Sequence, residues 1–310
     1  MAYTTINKHT EHFTTKLYTG TGSSNSITGV GFNPDLVWIK CRDNNFSHTL
    51  TDKVRGTSKE LYTNGSGAET VYSQGVTAFD SDGFTLGTDT GINGSGQNKV
   101  SWNWKAGGTG SANTDGSINS TVSVNTTAGF SIVSYTGTGS NPATVGHGLG
   151  VTPKMIIVKP RSIAYSWCVY HQGPGAGNLL YVDTTGAAGG SSFMNSTSPT
   201  SSVFTVNDNQ VNKSGETHIA YCFAEKIGYS KVDSYTGNGN ANGAFVYTGF
   251  KPQFIFVKNY SNSQSWYLLD IKRDTYNPMR TYLHADGNTA DQDHIFFDFY
   301  SNGFKARNTV

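Results

Sequence analysis

The heptapeptide "PKMIIVK" (residues 153–159) has counterparts in "PDLVWIK" (residues 34–40) and "PQFIFVK" (residues 252–258). In the first of these, apolar side chains fall on both alternating faces, which is typical of a central strand covered on both sides. Each copy runs from a proline, itself three residues after a glycine, to a lysine. The proline and lysine pairs are Pro34 with Lys40, Pro153 with Lys159, and Pro252 with Lys258. The pattern predicts one equivalent strand in each copy of a repeated unit.

Other landmarks keep the same spacing from these strands. A ring follows each lysine by eight residues, at His48, Trp167 and Trp266. A glycine-rich pentapeptide precedes each strand: YTGTG at residues 18–22 and 135–139, and YTGNG at residues 235–239. None of the three has the lysine or the following helix that a phosphate-binding loop needs. We interpret each as the end of a strand that enters a glycine turn, so the predicted role is structural.

These landmarks divide the chain into three units and a connector. The ranges are residues 1–108 (segment 1, with a short N-terminal stretch), 109–127 (the connector), 128–226 (segment 2) and 227–310 (segment 3). The connector is rich in Gly, Ser, Asn and Thr, but "STVSVN" within it alternates as a strand does, so it is either a linker or an extra hairpin.

The arrangement of short strands and turns predicts the fold class. Turn signals separate the strands about every 8–12 residues. This spacing predicts an all-β protein of three tandem β-sandwich or jelly-roll-like units. The best candidate for a short helix is "TLTDKVRGTSKEL" (residues 49–61), which Gly56 interrupts. The strings "SDGF" (residues 81–84) and "SNGF" (residues 301–304) predict hairpins with type I′ turns.

Aromatic residues recur on the strand that closes each of the first two units. Trp102 and Trp104 in "KVSWNWKA" align with Tyr221 and Phe223 in "THIAYCFAEK", and residues two apart share one strand face. Such rings form either a sugar-stacking platform or a core, and their presence in both units favours a core. The residues predicted to be buried are Trp38, Trp102, Trp104, Ile157, Tyr221, Phe223 and Phe256.

Composition and charge exclude several kinds of partner. With 22 basic and 21 acidic side chains the formal net charge is +1, so neither nucleic acid nor an anionic membrane surface is favoured as a partner. The longest apolar runs, such as residues 155–158, are too short for membrane insertion. The three cysteines, Cys41, Cys168 and Cys222, have no metal-site spacing and no even count, which predicts buried free thiols.

Catalytic constellations are missing from the sequence. It contains no HExxH and no GxSxG motif, and "DSDGF" (residues 80–84) resembles the opening of a calcium loop without its bidentate Glu, so we predict a plain turn. No carboxylate recurs in all three units, because His171 stands where the others have Asp52 and Asp270. We therefore predict a non-enzymatic protein without catalytic residues, cofactor or metal ion. The sequence identifies no receptor-binding residues.

Several stretches resemble a known family. They are "GFNPDLVWIK", "HTLTDKVRGTSKELYTN", "FDSDGFTLGTDTGINGSGQNKVSWNWKAGG" and "YTGTGSNPATVGHGLGVTPKMIIVK". They resemble a repeated β-domain of large tail-fibre-like structural proteins of marine tailed bacteriophages, cyanophages included. The resemblance covers nearly the whole chain and is weakest in segment 3.

The resemblance implies a virion component of the tail or particle surface that serves assembly and host attachment. It also implies a homo-oligomer, expected to be a trimer, that contacts other virion proteins and a host surface glycan or protein. Two alternatives stay open. The first is a carbohydrate-binding module of the lectin-like β-sandwich type, which would need solvent-facing rings beside polar groups. The second is a capsid decoration protein or filament subunit, which would need heterologous contacts that propagate.

Segment 3 departs from the other two at its C-terminal side. Only "KARNTV" follows its "SNGF" turn, whereas segments 1 and 2 continue into an aromatic closing strand. A sandwich without that strand exposes an unpaired sheet edge, which natural β-proteins avoid. We expect that the native chain runs on beyond Val310. The alternative is that a neighbouring subunit donates the missing strand.

Overall fold

The computed structural model describes residues 4–309. Over this range the chain is nearly all β, with 41% strand and 4% helix in several antiparallel sheets. The all-β prediction is therefore confirmed. No helix in residues 4–309 is long and apolar enough to span a bilayer.

Segment 1 begins with a single 3₁₀ turn, His9–Glu11, and forms two sheets. Its elements are β1 (Phe13–Thr19), β2 (Asn25–Thr28), β3 (Leu36–Cys41), β4 (Thr49–Asp52), β5 (Lys59–Tyr62), β6 (Thr70–Val71), β7 (Val76–Asp80), β8 (Gly83–Leu86), α1 (Thr90–Asn93) and β9 (Asn98–Trp104). The larger sheet has the order β1-β9-β3-β4-β5-β6, and the smaller has β2-β8-β7. All six residues of β3 are buried, as its apolar pattern predicts. A core with Val37, Phe84 and Ile92 fills the space between the two sheets.

Segment 2 repeats this order of strands, and the connector joins its larger sheet. The connector forms β10 (Ser111–Asn113) and β11 (Ser120–Asn125). Segment 2 contributes β12 (Phe130–Thr136), β13 (Ala143–Gly146), β14 (Met155–Pro160), β15 (Cys168–His171), β16 (Asn178–Tyr181), β17 (Gly189–Gly190), β18 (Val203–Val206), α2 (Asn209–Asn212) and β19 (Thr217–Phe223). The larger sheet runs β10-β11-β12-β19-β14-β15-β16-β17, and β13 pairs with β18. Of the two interpretations of the connector, the structure therefore has the hairpin.

Segment 3 forms one continuous sheet. Its strands are β20 (Phe245–Tyr247), β21 (Phe254–Lys258), β22 (Trp266–Asp270), β23 (Met279–His284), β24 (Gln292–Tyr300) and β25 (Gly303–Ala306), in the order β20-β25-β24-β23-β22-β21. Through the shared proline and lysine offsets, β21 corresponds to β3 and β14. Both of those strands lie between two neighbours, whereas β21 lies at the sheet edge.

The YTG interpretation holds for two of the three pentapeptides. Tyr18 and Tyr135 lie at the ends of β1 and β12, but Tyr235 lies in coil, so the prediction of a strand before it is wrong. The reason is that the residues before Tyr235 have no closing strand to pair with among the described residues. β1 pairs with β9 and β12 pairs with β19, and no described strand of segment 3 takes the place of β9 or β19.

A single hydrophobic cluster joins the three segments. It contains Trp38 and Trp102 of segment 1, Trp167 and Tyr221 of segment 2, and Trp266 of segment 3. The larger sheets of segments 1 and 2 and the sheet of segment 3 therefore share one apolar interior. Each segment also has a hydrophobic cluster of its own.

The predicted core residues divide into two groups. Trp38, Trp102, Ile157 and Tyr221 are buried, with 0–6% of each residue exposed, and for them the prediction is confirmed. The other three, Trp104, Phe223 and Phe256, are only half-buried, and they line a cavity beside β21. The cysteines are free and buried, as predicted.

Local predictions for two stretches need correction. Residues 49–61 are a strand, a turn and a strand, in which the carboxylate of Asp52 accepts the backbone N–H of Arg55 (2.9 Å) and Gly56 adopts a φ of 95°. The "SDGF" and "SNGF" hairpins form, but their turns are not type I′, which requires positive φ at both central residues; the only positive φ in "SDGF" is at Gly83. A Cβ on Gly83 would meet the carbonyl oxygen of Ile27 at 1.8 Å, so a neighbouring strand requires this glycine.

Candidate functional site

The YTG tyrosines join a strand end to a short helix. The hydroxyl of Tyr18 donates to the carbonyl of Ile92 in α1 (2.8 Å), and that of Tyr135 donates to the carbonyl of Val211 in α2 (2.6 Å). Both tyrosine hydroxyls donate to a backbone carbonyl of the same segment, so the motif has a structural role in segments 1 and 2. No phosphate cradle is involved.

Two buried asparagines also join the short helix to the turn of the YTG motif, and the sequence analysis did not predict them. The side-chain oxygen of Asn93 accepts the N–H of Thr21 (3.0 Å), and that of Asn212 accepts the N–H of Thr138 (2.9 Å). The signal that could have revealed them is the shared pattern of "DTGINGSG" and "DNQVNKSG". In both, an Asp caps the short helix and the Asn ends it.

The three landmark lysines donate hydrogen bonds to clusters of backbone carbonyls. Lys159 Nζ donates to the carbonyls of Pro160 (3.0 Å), Tyr165 (2.7 Å) and Ser66 (3.1 Å), the last in segment 1. Lys258 binds its own loop in the same way and reaches the carbonyl of Thr185 in segment 2 (2.9 Å). Burial lowers the pKa of Lys159 to about 8. Lys159 and Lys258 therefore connect neighbouring segments, whereas Lys40 donates to the carbonyls of Cys41 and Asn44 in its own segment.

Rings at the landmark positions make a second set of contacts between segments. Trp167 Nε1 donates to the carbonyl of Tyr62 in segment 1 (2.9 Å), and Trp266 Nε1 donates to the carbonyl of Tyr181 in segment 2 (2.8 Å). His48, the equivalent ring of segment 1, lies near the backbone of His284 in segment 3, although its Nε2 lacks a hydrogen bond of good geometry.

The closing strands make a third set, in which a ring reaches a buried ion pair. Tyr221 of segment 2 donates its hydroxyl to Asp52 of segment 1 (2.8 Å), and Trp102 Nε1 donates to Asp270 of segment 3 (3.1 Å). Each carboxylate also accepts from an arginine three residues later, Arg55 or Arg273. Although burial acts in the opposite direction, the neighbouring carboxylates raise the pKa of both arginines. Each ring therefore donates to a carboxylate that also pairs with an arginine.

In segment 2, His171 is the equivalent of Asp52 and Asp270. Among the described residues, no ring of a closing strand donates to it. Its Nδ1 accepts the backbone N–H of Gly173 (3.0 Å), and burial lowers the pKa of the imidazole below its usual 6.5. A neutral imidazole whose Nδ1 accepts carries its proton on Nε2. His171 thus presents a donor where Asp52 and Asp270 present acceptors.

His171 lines a cavity of about 920 Å³ beside β21. We call this cavity the open groove. Aromatic side chains from all three segments form its walls, and the coil around residues 229–238 also lines it. The aromatic wall residues include Phe13, Trp104, Phe130, Phe223, Phe254 and Phe256. The ring centroids of Phe13 and Phe254 are 5.4 Å apart, and those of Trp104 and Phe254 are 5.9 Å apart.

The backbone of β21 faces the open groove with unpaired groups. The N–H of Ile271 donates to the carbonyl of Gln253 (3.1 Å), so by the alternation of an antiparallel ladder the residues that bond to β22 are Ile255 and Val257. The N–H and C=O groups of Phe254 and Phe256 therefore point away from β22. Among the described residues, none makes a backbone hydrogen bond to those two.

The groove is the candidate site because it combines unpaired backbone groups with partly exposed rings. The sequence indicated a missing strand but not this cavity, whose walls come from three segments. Within residues 4–309, no group of three or more His, Cys, Asp or Glu side chains could hold a metal ion.

Comparison with known proteins gives one match. A family model described as a domain of unknown function, DUF7483, matches residues 8–310 and so spans all three segments. No curated protein and no solved structure matches the chain.

Proposed function

The chain belongs to this family of unknown function, and we propose that it is a non-enzymatic structural protein of a phage particle. Its place is the tail or a tail fibre, where it serves assembly and host attachment. It acts there as a homo-oligomer, a trimer, in contact with other virion proteins and with a host surface glycan or protein. The likeness of residues 31–108 and 137–159 to tail-fibre-like proteins supports this assignment.

One structural observation supports a mechanical role above the others. Two buried carboxylates accept hydrogen bonds from rings of another segment, in the pairs of Tyr221 with Asp52 and Trp102 with Asp270. Such contacts hold three sheets in a fixed arrangement around the cluster of aromatic residues that they share. A rigid module of this kind suits a protein that must transmit force or present a surface.

Labelling of intact particles tests the proposal. An antibody raised against the purified chain should decorate the tail or its fibres in negative-stain images of the phage that encodes it. Light scattering of the purified protein should give three times the mass of one chain. Labelling confined to the capsid would favour a decoration protein, and the absence of the chain from purified particles would contradict a virion role.

A specific group of exposed rings favours glycan binding as a second candidate function. Phe245, Tyr247 and Tyr300 are 48%, 60% and 41% exposed in segment 3, the first two on β20 and the third on β24, and both of these strands pair with β25. The centroids of Phe245 and Tyr300 are 5.9 Å apart. Rings at such spacing offer the apolar faces on which sugars stack. If they bind glycan, Tyr300→Ala should abolish binding on a glycan array, whereas Tyr276→Ala, at an isolated exposed ring, should not change it.

A further inference from the structure

The first two segments show what covers the sheet edge that is open in segment 3. In segment 1 the antiparallel strand β9 lies against β3, with Trp102 opposite Trp38 and Trp104 opposite Leu36. In segment 2 the strand β19 lies against β14 in the same register, with aromatic residues again at the two corresponding places. The occupant is thus the same kind of strand in both cases.

The two occupants share a five-residue pattern. It reads VSWNW at residues 100–104 and IAYCF at residues 219–223. A β-branched residue and two aromatic residues alternate with small or polar ones. The aromatic residues face the cluster that the segments share, and the small ones face the other sheet of their own segment, as expected from the alternation of a strand.

If a strand pairs with β21 in the register that β9 has with β3 and β19 has with β14, its sequence pattern can be specified. Phe256 stands four residues after its proline, as Trp38 and Ile157 do. The first aromatic residue of an incoming strand therefore lies opposite Phe256, and the second lies opposite Phe254. The backbone groups of both phenylalanines already point to that side.

We propose that the open groove binds a β-strand of another polypeptide chain, antiparallel to β21, with the pattern β-branched, small, aromatic, small, aromatic. The strand completes the ladder on β21 and buries the half-exposed rings of Phe254, Phe256 and Trp104. Addition of a strand to a free sheet edge is an established mode of peptide recognition. This site does not depend on the virion role and would serve any assembly built from the chain.

The residue that meets the first aromatic side chain sets a preference within this pattern. Asp52 and Asp270, the equivalents of His171, accept hydrogen bonds, so either a tyrosine hydroxyl or a tryptophan N–H can donate to them. His171 offers an Nε2–H, which needs an acceptor. A tyrosine hydroxyl can accept, whereas an indole N–H only donates. The open groove therefore selects tyrosine over tryptophan at this position.

The coil next to the groove should change when a strand binds. In segments 1 and 2 the closing strand pairs on its far side with the first strand, β1 or β12. The corresponding residues, about 230–235, now include a hydrogen bond from the N–H of Val232 to the Glu225 carboxylate (3.0 Å). They gain a strand partner once the groove is filled, and their amide hydrogens become protected.

Peptide binding tests the proposal directly. The probe is a synthetic peptide with the sequence of residues 217–225 and serine in place of Cys222, titrated into the 310-residue protein by calorimetry. We expect 1:1 binding in the micromolar range and slower hydrogen exchange at Phe254, Phe256 and residues 230–235. A peptide with both aromatic residues replaced by serine is the control. Absence of binding at 1 mM peptide would overturn the proposal.

A matched pair of variants separates strand pairing from apolar contact. Phe256→Pro removes the N–H that faces the groove, and Phe256→Leu keeps it while losing the ring. Because proline is tolerated on an edge strand when its N–H faces outward, both variants should fold, which circular dichroism verifies. The proline variant should bind the peptide at least tenfold more weakly than the leucine variant. Equal affinities would contradict pairing on β21.

Two further measurements test the preference and the source of the strand. A peptide with tryptophan in place of the tyrosine should bind roughly tenfold more weakly, and His171→Gln, which offers both a donor and an acceptor, should remove the difference. Protein isolated from its natural source should bind the peptide once its partner chains are stripped off. Failure of that protein to bind, with the groove filled by its own polypeptide, would overturn donation by another chain.

Discussion

Three lysines at the same offset from a proline show how a single residue type can hold a β-protein together. Each lies at the end of a strand, where loop carbonyls converge that no strand partner satisfies. Lys159 donates to three such carbonyls and is fully buried. Its burial is unfavourable for the charged form, which is why its pKa falls to about 8. The carbonyl partners offset that cost.

Replacement of Lys159 tests this role. Lys159→Met keeps most of the apolar stem but leaves the three carbonyls without a donor, and we expect a loss of about 3 kcal/mol in the free energy of unfolding. Urea denaturation measures the change. Lys213→Met, at a lysine whose side chain is 43% exposed, is the control and should stay within about 0.5 kcal/mol of the parent. Similar values for the two variants would refute the role.

Glu60 gives the stability a pH dependence with a defined sign. Burial raises the pKa of this carboxyl to about 7, against a partial opposing effect of the Tyr62 hydroxyl, which donates to it (2.8 Å). Between about pH 4.5 and 7 the folded state therefore holds a proton that the unfolded state has lost. Folding is favoured at the low end of this window, and that stabilisation is lost as the pH rises.

The expected result concerns the difference between the parent and Glu60→Gln. The amide cannot ionise, so the variant should gain on the order of 2–3 kcal/mol relative to the parent between pH 5 and pH 8. Thermal unfolding at several pH values measures this gain. Because other titrating groups, such as His218, are common to both proteins, they cancel in the comparison. A constant difference across the range would show that Glu60 is not protonated in the folded state.

Among the elements, the contact between β1 and α1, and the equivalent contact between β12 and α2, depend most strictly on particular residues. Gly20 and Gly137 follow the YTG tyrosine in β1 and β12 and pass directly over the helix end. A Cβ on Gly20 would meet the carbonyl oxygen of Gly94 at 2.3 Å, and one on Gly137 would meet that of Lys213 at 2.3 Å. Close approach thus requires the glycine of YTG in segments 1 and 2, whereas a Cβ on Gly237 of segment 3 would meet nothing within 4 Å.

Alanine substitutions test that close approach. Gly137→Ala should destabilise the protein by about 2 kcal/mol, since backbone must shift to admit the methyl group. Gly65→Ala is the matched control, because a Cβ at Gly65 meets nothing within 4 Å and no left-handed φ is involved. It should be neutral or slightly stabilising. Chemical denaturation of both variants decides between close packing and simple loop flexibility.

At the level of the whole molecule, three sheets are joined by contacts that pass from one segment to the next. Segment 2 reaches segment 1 through Tyr221, segment 1 reaches segment 3 through Trp102, and segment 3 reaches segment 2 through Trp266. Within residues 4–309, no strand of segment 3 completes the set at His171, and the open groove lies at the uncovered edge of β21.

Such an arrangement predicts cooperative unfolding. Asp52→Ala should remove the acceptor of Tyr221 and leave the buried Arg55 without its partner, at a cost of about 3–5 kcal/mol. Because the segments share one core, the variant should still unfold in a single calorimetric transition at a lower temperature. The ratio of calorimetric to van't Hoff enthalpy should stay near one. Separate transitions for the segments would contradict a shared core.

The sequence by itself determined the all-β class, the positions of the strands that follow each proline, and the structural nature of YTG. These features are local. The alternation of side chains and the demand for glycine are properties of a few consecutive residues, so "PKMIIVK" and "YTGTG" carry them in full. The burial of Trp38, Trp102 and Tyr221 followed from the same patterns.

Only the tertiary structure decided how the segments meet. The bond between Trp102 and Asp270 joins residues 168 positions apart, and no periodicity connects such a pair. The half-exposure of Trp104, Phe223 and Phe256 has the same origin. Their sequence context matches that of buried residues, but burial depends on whether another strand lies on β21. The donor character of His171 likewise comes from the loop that places Gly173 against its Nδ1. Each strand's pattern is set locally, whereas its neighbours are set by packing across the whole chain.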